Sequence, residues 1–537
     1  MSSNEIAGLD WAANRLLPAF QTPQQVDIYD IRGASYEAQL TIATLVGLIN
    51  RPQPRVYLLV NNEDDFWFKT LFASVQHNYA TEKKEDVLAA LLAKYGSSVK
   101  GLIIYNPSPD AVDSINIATT LSGQRDGIIV SPAQAAALQS SHQLPVLFNL
   151  NQFNWKTRLQ TYQWAYDNLL KDSSSRLVAG IDPKSLGAIG LRSFLVATRT
   201  FVYWLDSRDA LPDITNILSS ERNLMTQIFS HFPAGATHLG WFIDEGSGVS
   251  LTSDAAITVL ATDLFSNLET FTGVPANTPA TPKAGPAIET PQAANNVYVS
   301  FTVSDGDNLQ YCQHHMLKLW NDPARGSFPL GWTISPVLIQ GTPALASYYM
   351  STAKANDELI AGPSGAGYMF PSRWPTQHLP AFLERTGQLM QEMGLNALEV
   401  LDTTTLQASG LPFLSGLRQT GMAFNDEQAQ RTFAQALTPY GIHGLLSGSG
   451  LANPSWKIVD GMPIYQNLGL ASNVTEAVNL ITKATASTSQ RPLFLNLYIL
   501  AWSMTPGNIK QVIQQLGNGY EVVTPGTLLT MIRQHGQ

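Results

Sequence analysis

A chain of 537 residues exceeds one ordinary hydrophobic core and implies two or three domains. Its 44% hydrophobic and 14% charged residues, with 39 Gly and 31 Pro, fit a large, tightly looped globular protein rather than a disordered one. The net charge of −9 gives no electrostatic support to a nucleic-acid partner or an anionic membrane surface, and the single cysteine, Cys312, excludes an internal disulfide or a cysteine-based metal cluster.

The opening stretch "MSSNEIAGLDWAANRLLPAF" lacks the basic start and apolar core of a signal peptide, and no apolar run reaches the roughly 18 residues of a membrane span. A soluble chain is expected, its compartment open between the cytoplasm and secretion with a leader removed. "VDIYDIRG" (26–33), "SYEAQLTIATLVGLINR" (35–51) and "RVYLLV" (55–60) read as strand, helix and strand. "VKGLIIYNP", "DGIIVSP" and "LPVLFNL" continue the alternation, which argues for a parallel sheet flanked by helices. No G-x-G-x-x-G or G-x-x-x-x-G-K-[ST] is present, so no dinucleotide or triphosphate cradle is expected. Residues 152–232 read as mostly helical and close an α/β domain spanning 1–232.

A second alternation fills 233–537. Its strands are expected at 238–244, 297–304, 330–335, 358–364, 396–402, 441–447, 462–468 and 492–500, with amphipathic segments such as "PAFLERTGQLMQEMG" between them. Eight such repeats predict a (β/α)8-like barrel, and the Pro/Ala/Thr stretch at 275–291 reads as a surface excursion.

In a barrel the working groups stand at the C-terminal strand ends. There the sequence places Glu245, the run Ser304-Asp305-Gly306-Asp307-Asn308, Trp332, Glu399 with Asp402, and Tyr498 with Trp502. Carboxylates, amides, hydroxyls and aromatic faces on one rim suit a sugar. Two acids at Asp305 and Asp307 raise at least one pKa through burial and mutual repulsion, and a protonated carboxyl can act on a glycosidic oxygen. Glu399, Asp402 and Glu245 are the candidate partners across the pocket. "SDGDN" is equally ordinary turn and cap chemistry. A divalent ion on Asp305 and Asp307 with His314 or His315 is the metal alternative, but adjacent histidines face different sides of a helix. No resident cofactor is otherwise called for. Cys312 reads as a small buried residue on the helix after the second strand.

The segment "GPSGAGYMFPSRWP" (362–375) is too rich in Gly and Pro for a regular element. It reads as an ordered loop presenting Tyr368, Phe370, Arg373 and Trp374 to substrate, with Asn308, Trp332, Tyr498 and Trp502 as further contacts. Its core "GAGYMFP" (365–371) resembles the motif of the GxGYxYP family: Gly365, Gly367, Tyr368 and Pro371 match, and Phe370 stands in place of the second tyrosine. "SDGDNLQY" (304–311), "LGWTISP" (330–336), "WFIDEGSGV" (241–249), "LYILAWSMTP" (497–506) and "LTIATLVGLINRPQPRVYL" (40–58) resemble further blocks of that family. The resemblance implies glycoside hydrolase chemistry on a carbohydrate substrate and supplies no catalytic residues. The expectation is a hydrolase with Asp305 or Asp307 as acid and Glu399 or Asp402 as its partner. Its alternatives are a metal-dependent polysaccharide deacetylase-like hydrolase and a non-catalytic carbohydrate-binding protein, and the oligomeric state is open.

Overall fold

A computed structural model describes residues 9–208, 220–276, 295–306, 308–403, 423–448 and 455–535. The chain divides into two compact units: Met1–Gly248 with Ala261–Asn277 and Gln340–Leu345, and Val249–Leu260 with Thr278–Ile339 and Ala346–Gln537.

The first unit is built on small parallel sheets. Strands β1 (Gln25–Asp30), β2 (Val56–Leu59) and β3 (Gln76–Tyr79) run in the order β2-β1-β3. Strands β4 (Gly101–Ile104), β5 (Gly127–Val130) and β6 (Val146–Asn149) run as β5-β4-β6. In a third group β7 (Leu177–Gly180) pairs in parallel with both β8 (Phe201–Tyr203) and β9 (Thr237–Gly240). The helix Tyr36–Ile49 starts at Ser35, whose side chain accepts the Ala38 amide, and is buried from Gln39 onward. It lies against the helix Ile189–Ala197 so closely that a Cβ on Gly47 would stand 2.4 Å from the Ser193 carbonyl oxygen. Only glycine fits there.

Residues 152–232, read as mostly helical, contain two strands. The helix Ile189–Ala197 stops where Thr198 donates its hydroxyl back to Phe194 O and Arg199 turns left-handed (φ 53°), so "FVY" emerges as β8. The segment 238–244, read as the first barrel strand, yields β9 of the first unit's sheet instead. The eight-fold barrel count therefore lacks its first member. The excursion at 275–291 lies, beyond Ala276, outside the described residues.

Strand β10 (Thr258–Ala261) comes next in the chain, and the second unit carries a separate ten-stranded sheet. Its strands are β11 (Val297–Val303), β12 (Leu330–Ile334), β13 (Asp357–Ala361), β14 (Ala397–Val400), β15 (Gly444–Ser447), β16 (Ser455–Val459), β17 (Met462–Gln466), β18 (Leu470–Ala471), β19 (Leu493–Ile499) and β20 (Tyr520–Val522). The order is β16-β17-β15-β14-β13-β12-β11-β19-β18, with β20 beside β11; every pairing is parallel except that of β16 with β17. The sheet curls. The chain leaving β17 near one edge reaches β19 near the other, where Leu468 N donates to Asn496 O (3.0 Å) and Tyr498 N to Gly469 O (3.0 Å).

The interior of the curl is layered because alternate residues of each strand face it. Its floor is apolar: Tyr298, Ile360, Ala397, Leu446, Tyr465 and Phe494 pack on Leu528, Leu529, Met531 and Ile532 of the helix Pro525–His535. Buried Glu358 accepts the Gly526 amide (2.8 Å) in the first turn of that helix. Above the floor Asn496 accepts Ser300 Oγ (2.6 Å) and Thr302 Oγ1 (3.0 Å) and donates to Asn467 Oδ1, while Asn467 donates to Ser447 O (2.7 Å). All four side chains and Ser447 are buried, so each bond replaces water that cannot enter.

Asn496→Ala should cost about 2–4 kcal/mol by stranding the Ser300, Thr302 and Asn467 groups. Urea denaturation at neutral pH checks this; a loss under about 0.5 kcal/mol would show the layer to be hydrated.

Candidate active site

The run 304–308 divides its labour residue by residue. Ser304, the next inward residue after Thr302, donates to Glu399 Oε1 at 2.9 Å. Asp305 is half-buried and left-handed (φ 88°), an uncommon state for an aspartate that holds its side chain at the strand end. Gly306 must be glycine, because a Cβ would lie 2.0 Å from the Thr333 carbonyl carbon; its amide donates to Thr333 Oγ1 at 2.8 Å. Asn308 caps the helix Leu309–Gln313 by accepting the Tyr311 amide (3.1 Å), so its side-chain oxygen is committed to that cap. Asp307 lies outside the described residues.

Glu399 is wholly buried on the inward face of β14. Its Oε2 accepts no hydrogen bond of good geometry; the Tyr498 hydroxyl bears on it but donates to Leu446 O at 3.1 Å. Burial, with the Asp305 charge adding, pushes the Glu399 carboxyl up to about 8 against the opposing bonds from Ser304 and Tyr498. The group is therefore largely protonated at neutral pH. Because the folded chain holds this proton more tightly, its contribution to stability is complete below the ordinary glutamate range and is lost as pH rises through about 8.

Asp402 does different work. It is buried and accepts Ser372 N (3.2 Å), Ser372 Oγ (2.6 Å) and Thr403 N (2.9 Å). Burial raises its carboxyl to about 6 against those bonds. It fastens the loop that follows β13. Glu245 opens the helix Glu245–Asp254 and belongs to the first unit, whereas Asp305, Glu399 and Asp402 belong to the second.

The Gly-rich loop is ordered by packing rather than spread as an aromatic wall. Tyr368 and Phe370 are buried, their rings edge to face at 5.4 Å. Tyr368 exchanges both backbone hydrogen bonds with Val259 of β10, and Phe370 N donates to Ser253 Oγ (3.0 Å). Ser364 Oγ donates to Met369 O (3.0 Å) and Leu401 O (3.2 Å), tying the loop to the end of β14. A Cβ on Gly365 (φ 126°) would meet Thr386 Cγ2 at 2.5 Å, and one on Gly367 (φ 99°) would meet Thr258 Cγ2 at 2.1 Å. Trp374 packs on Phe382 with centroids 5.0 Å apart and is buried; Arg373 is half-exposed and pairs with Asp254 at 2.5 Å. The reading of Tyr368, Phe370 and Trp374 as a substrate wall is corrected accordingly: the bulk of the three rings serves the core.

Trp332 is likewise core. Fully buried, it donates Nε1 to Asp357 Oδ1 (3.0 Å) and meets Trp320 edge to face at 5.1 Å, because residue 332 points away from the interior that Thr333's neighbours line. Tyr498 does face the interior, beside Glu399. Trp502, 48% exposed, is the open aromatic face. Its ring stacks on His315 (4.7 Å, 21°) and stands edge-on to Tyr311 (5.8 Å), whose buried hydroxyl has no partner and feels the Asp305 charge. Sequence reasoning missed Tyr311 as a neighbour of the site, named Ser304 only as part of the strand-end run and His315 only as a metal candidate; the alternation Ser300-Thr302-Ser304 was the available signal for Ser304's inward face. Cys312 is buried on the helix after β11, as expected. Among the described residues no three His, Cys, Asp or Glu side chains converge as a metal site. No described helix is long and apolar enough to cross a membrane.

A mixed α/β chain with parallel sheets and a curled sheet holding a buried acid at its strand ends defines the architecture. Family models described as GxGYxYP_N 1st domain, GxGYxYP_N second domain, GxGYxYP third domain and "GxGYxYP putative glycoside hydrolase C-terminal domain" match residues 25–97, 99–173, 175–273 and 295–533. The chain belongs to the GxGYxYP family. A crystal structure named as a putative hydrolase from Bacteroides thetaiotaomicron matches with TM-score 0.77 over 98% of this chain and 99% of that one. At 22% identity the likeness speaks for the fold. A structure named as a putative polysaccharide deacetylase from Mycobacterium smegmatis matches with TM-score 0.30 and 11% identity over 48% of this chain and 94% of that one. That score supports no inference. No curated protein sequence matches.

Gly367→Ala should lose about 2–4 kcal/mol, since the added methyl meets Thr258 and the left-handed backbone resists a side chain. Thermal unfolding beside wild type checks it; an unchanged Tm would mean the loop is free to move.

Proposed function

We propose that the second unit hydrolyses glycosidic bonds at the C-terminal ends of its curled sheet, with Glu399 as general acid and Asp305 as the companion carboxylate. The observation that carries the reading is the buried Glu399 carboxyl, pushed up to about 8, with Ser304 on one oxygen and Asp305 nearby. A carboxyl kept protonated at neutral pH can donate to a leaving-group oxygen, and an ionised one beside it can serve water or the anomeric carbon. Exposed Trp502 offers a plane for the apolar face of a sugar ring, and the Tyr311 hydroxyl stands beside it. The sheet works here in the manner of a barrel, whose reacting groups also sit at the C-terminal strand ends. Asp402 acts through the loop it fastens, and Arg373 is taken up by its ion pair with Asp254. The description of the matched C-terminal family model as a putative glycoside hydrolase domain supports the reaction class.

Glu399→Gln should lower kcat/KM about 10²–10⁴-fold on any glycoside the wild type cleaves. A panel of aryl glycosides and a reducing-end assay on polysaccharides supply the substrates, and a variant with wild-type turnover overturns the assignment. The protonated form is the active one, so wild-type kcat/KM should fall as pH rises through about 8. Ser304→Ala removes a bond that favours the charged form and should move this limb to higher pH. A limb that stays in place separates Ser304 from the reacting proton.

A further inference from the structure

The first unit carries an open aromatic cluster that none of the chemistry above uses. It grows from the edge strand β6, which pairs only with β4 among the described residues, and from the turn after it. The segment 148–155 reads "FNLNQFNW": three aromatics, three asparagines and a glutamine, with no charge. Phe153 is its centre, stacked on Phe148 (5.9 Å, 8°) and on Trp155 (4.6 Å, 20°), with Trp164 closing the group at 5.0 Å from Phe153 and 5.4 Å from Trp155.

All four rings are half-buried where ordinary core rings are fully enclosed. Isolated exposed apolar residues need no explanation, whereas a contiguous aromatic patch points to a ligand or partner. Among the described residues neither the Trp155 nor the Trp164 indole N–H is taken by a protein acceptor. Gln152 is exposed, and Asn154 has its oxygen on Lys156 Nζ (2.6 Å) with its NH2 left for another acceptor.

The chemistry of these groups selects the occupant. A purely apolar partner would cover the amides and indole N–H groups without satisfying them, at a cost for each. A cationic ligand finds no carboxylate in the segment, and the one cation beside it, Lys156, already donates to Asn154. A neutral polyol meets both demands, since its hydroxyls give and accept hydrogen bonds and its ring C–H faces lie on aromatic planes. We propose that Phe148, Phe153, Trp155 and Trp164, with Gln152 and Asn154, form a non-catalytic binding surface for a neutral polysaccharide. The choice of ligand rests on the carbohydrate reading of the second unit, while the site itself does not share a residue with it.

The test is affinity electrophoresis of the full chain in native gels cast with hydroxyethylcellulose, xylan, glucomannan or soluble starch, against a gel without polysaccharide. Wild type should be retarded by at least one of them. Trp155→Ala should lose at least tenfold in affinity there, and Gln152→Ala, at an exposed position that does not threaten folding, should lose a few-fold. Glu399→Gln should bind as wild type does, and Trp155→Ala should hydrolyse small soluble glycosides unchanged. Migration without retardation in every gel overturns the proposal. So does retardation that survives Trp155→Ala and Gln152→Ala but disappears with Trp502→Ala, an outcome that leaves the hydrolase reading standing. A change of oligomeric state on Trp155→Ala, seen by sedimentation, would mark the patch as a contact between copies and overturn it too. Conversely, binding lost with Trp155→Ala in a chain whose Glu399→Gln variant keeps full hydrolysis upholds this surface and sinks the catalytic assignment.

Discussion

The buried carboxyl of Glu399 sets the terms for the second unit. A carboxyl without water is tolerable only if it keeps its proton or gains strong partners, and here the first course dominates. Ser304 supplies one hydrogen bond, and Asp305 supplies repulsion that keeps the proton on. The asparagine layer beneath would be expensive in isolation. It is tolerable because Ser300, Thr302, Asn467 and Ser447 O complete one connected set of bonds with Asn496. Polar groups thus descend from the strand ends, where the acid sits, through the asparagine layer to an apolar floor.

The glycine-rich motif takes its meaning from this arrangement. Gly365 and Gly367 permit backbone approaches that a side chain would block, at Thr386 and Thr258. Ser364 and Asp402 then bind the loop back to the residues that follow β14. The loop therefore fixes the strand that carries Glu399. In this chain the motif's Tyr368 and Phe370 serve as packed, buried rings.

Much of the strand framework was legible because β-branched and aromatic runs bounded by turns leave few alternatives. "VYVSFTVS", "LGWTIS" and "PLFLNLYIL" became β11, β12 and β19 with ends shifted by a residue or so. What failed was membership. "HLGWFID" has strand composition, but composition does not say which sheet a strand joins, and β9 joined β7. The strands β7 and β8 were hidden because "LVAG" and "FVY" are short and stand beside helix-forming runs. Among the site residues the acids were visible as residue types and their depth was not, since burial depends on which face a strand presents. Trp332 and Trp502 show the same limit: one alternates with Thr333 onto the helix side of its sheet, and the other follows its strand into the polar turn "AWSMTP". Surroundings of that kind are the sequence signal that separates an open ring from a packed one.

The helix Pro525–His535 floors the interior, and β20 pairs with the opening half of β11. Both are the last parts of this unit to be synthesised, whereas β11 itself appears more than two hundred residues earlier. A ribosome-bound chain would hold a curled sheet with its apolar underside uncovered until the final turns of that helix emerged. Contacts of such long sequence separation are slow to close and leave greasy surface open meanwhile. The unit is thus complete only once that helix has docked, and chaperone binding before then would fall on the face that the helix eventually seals.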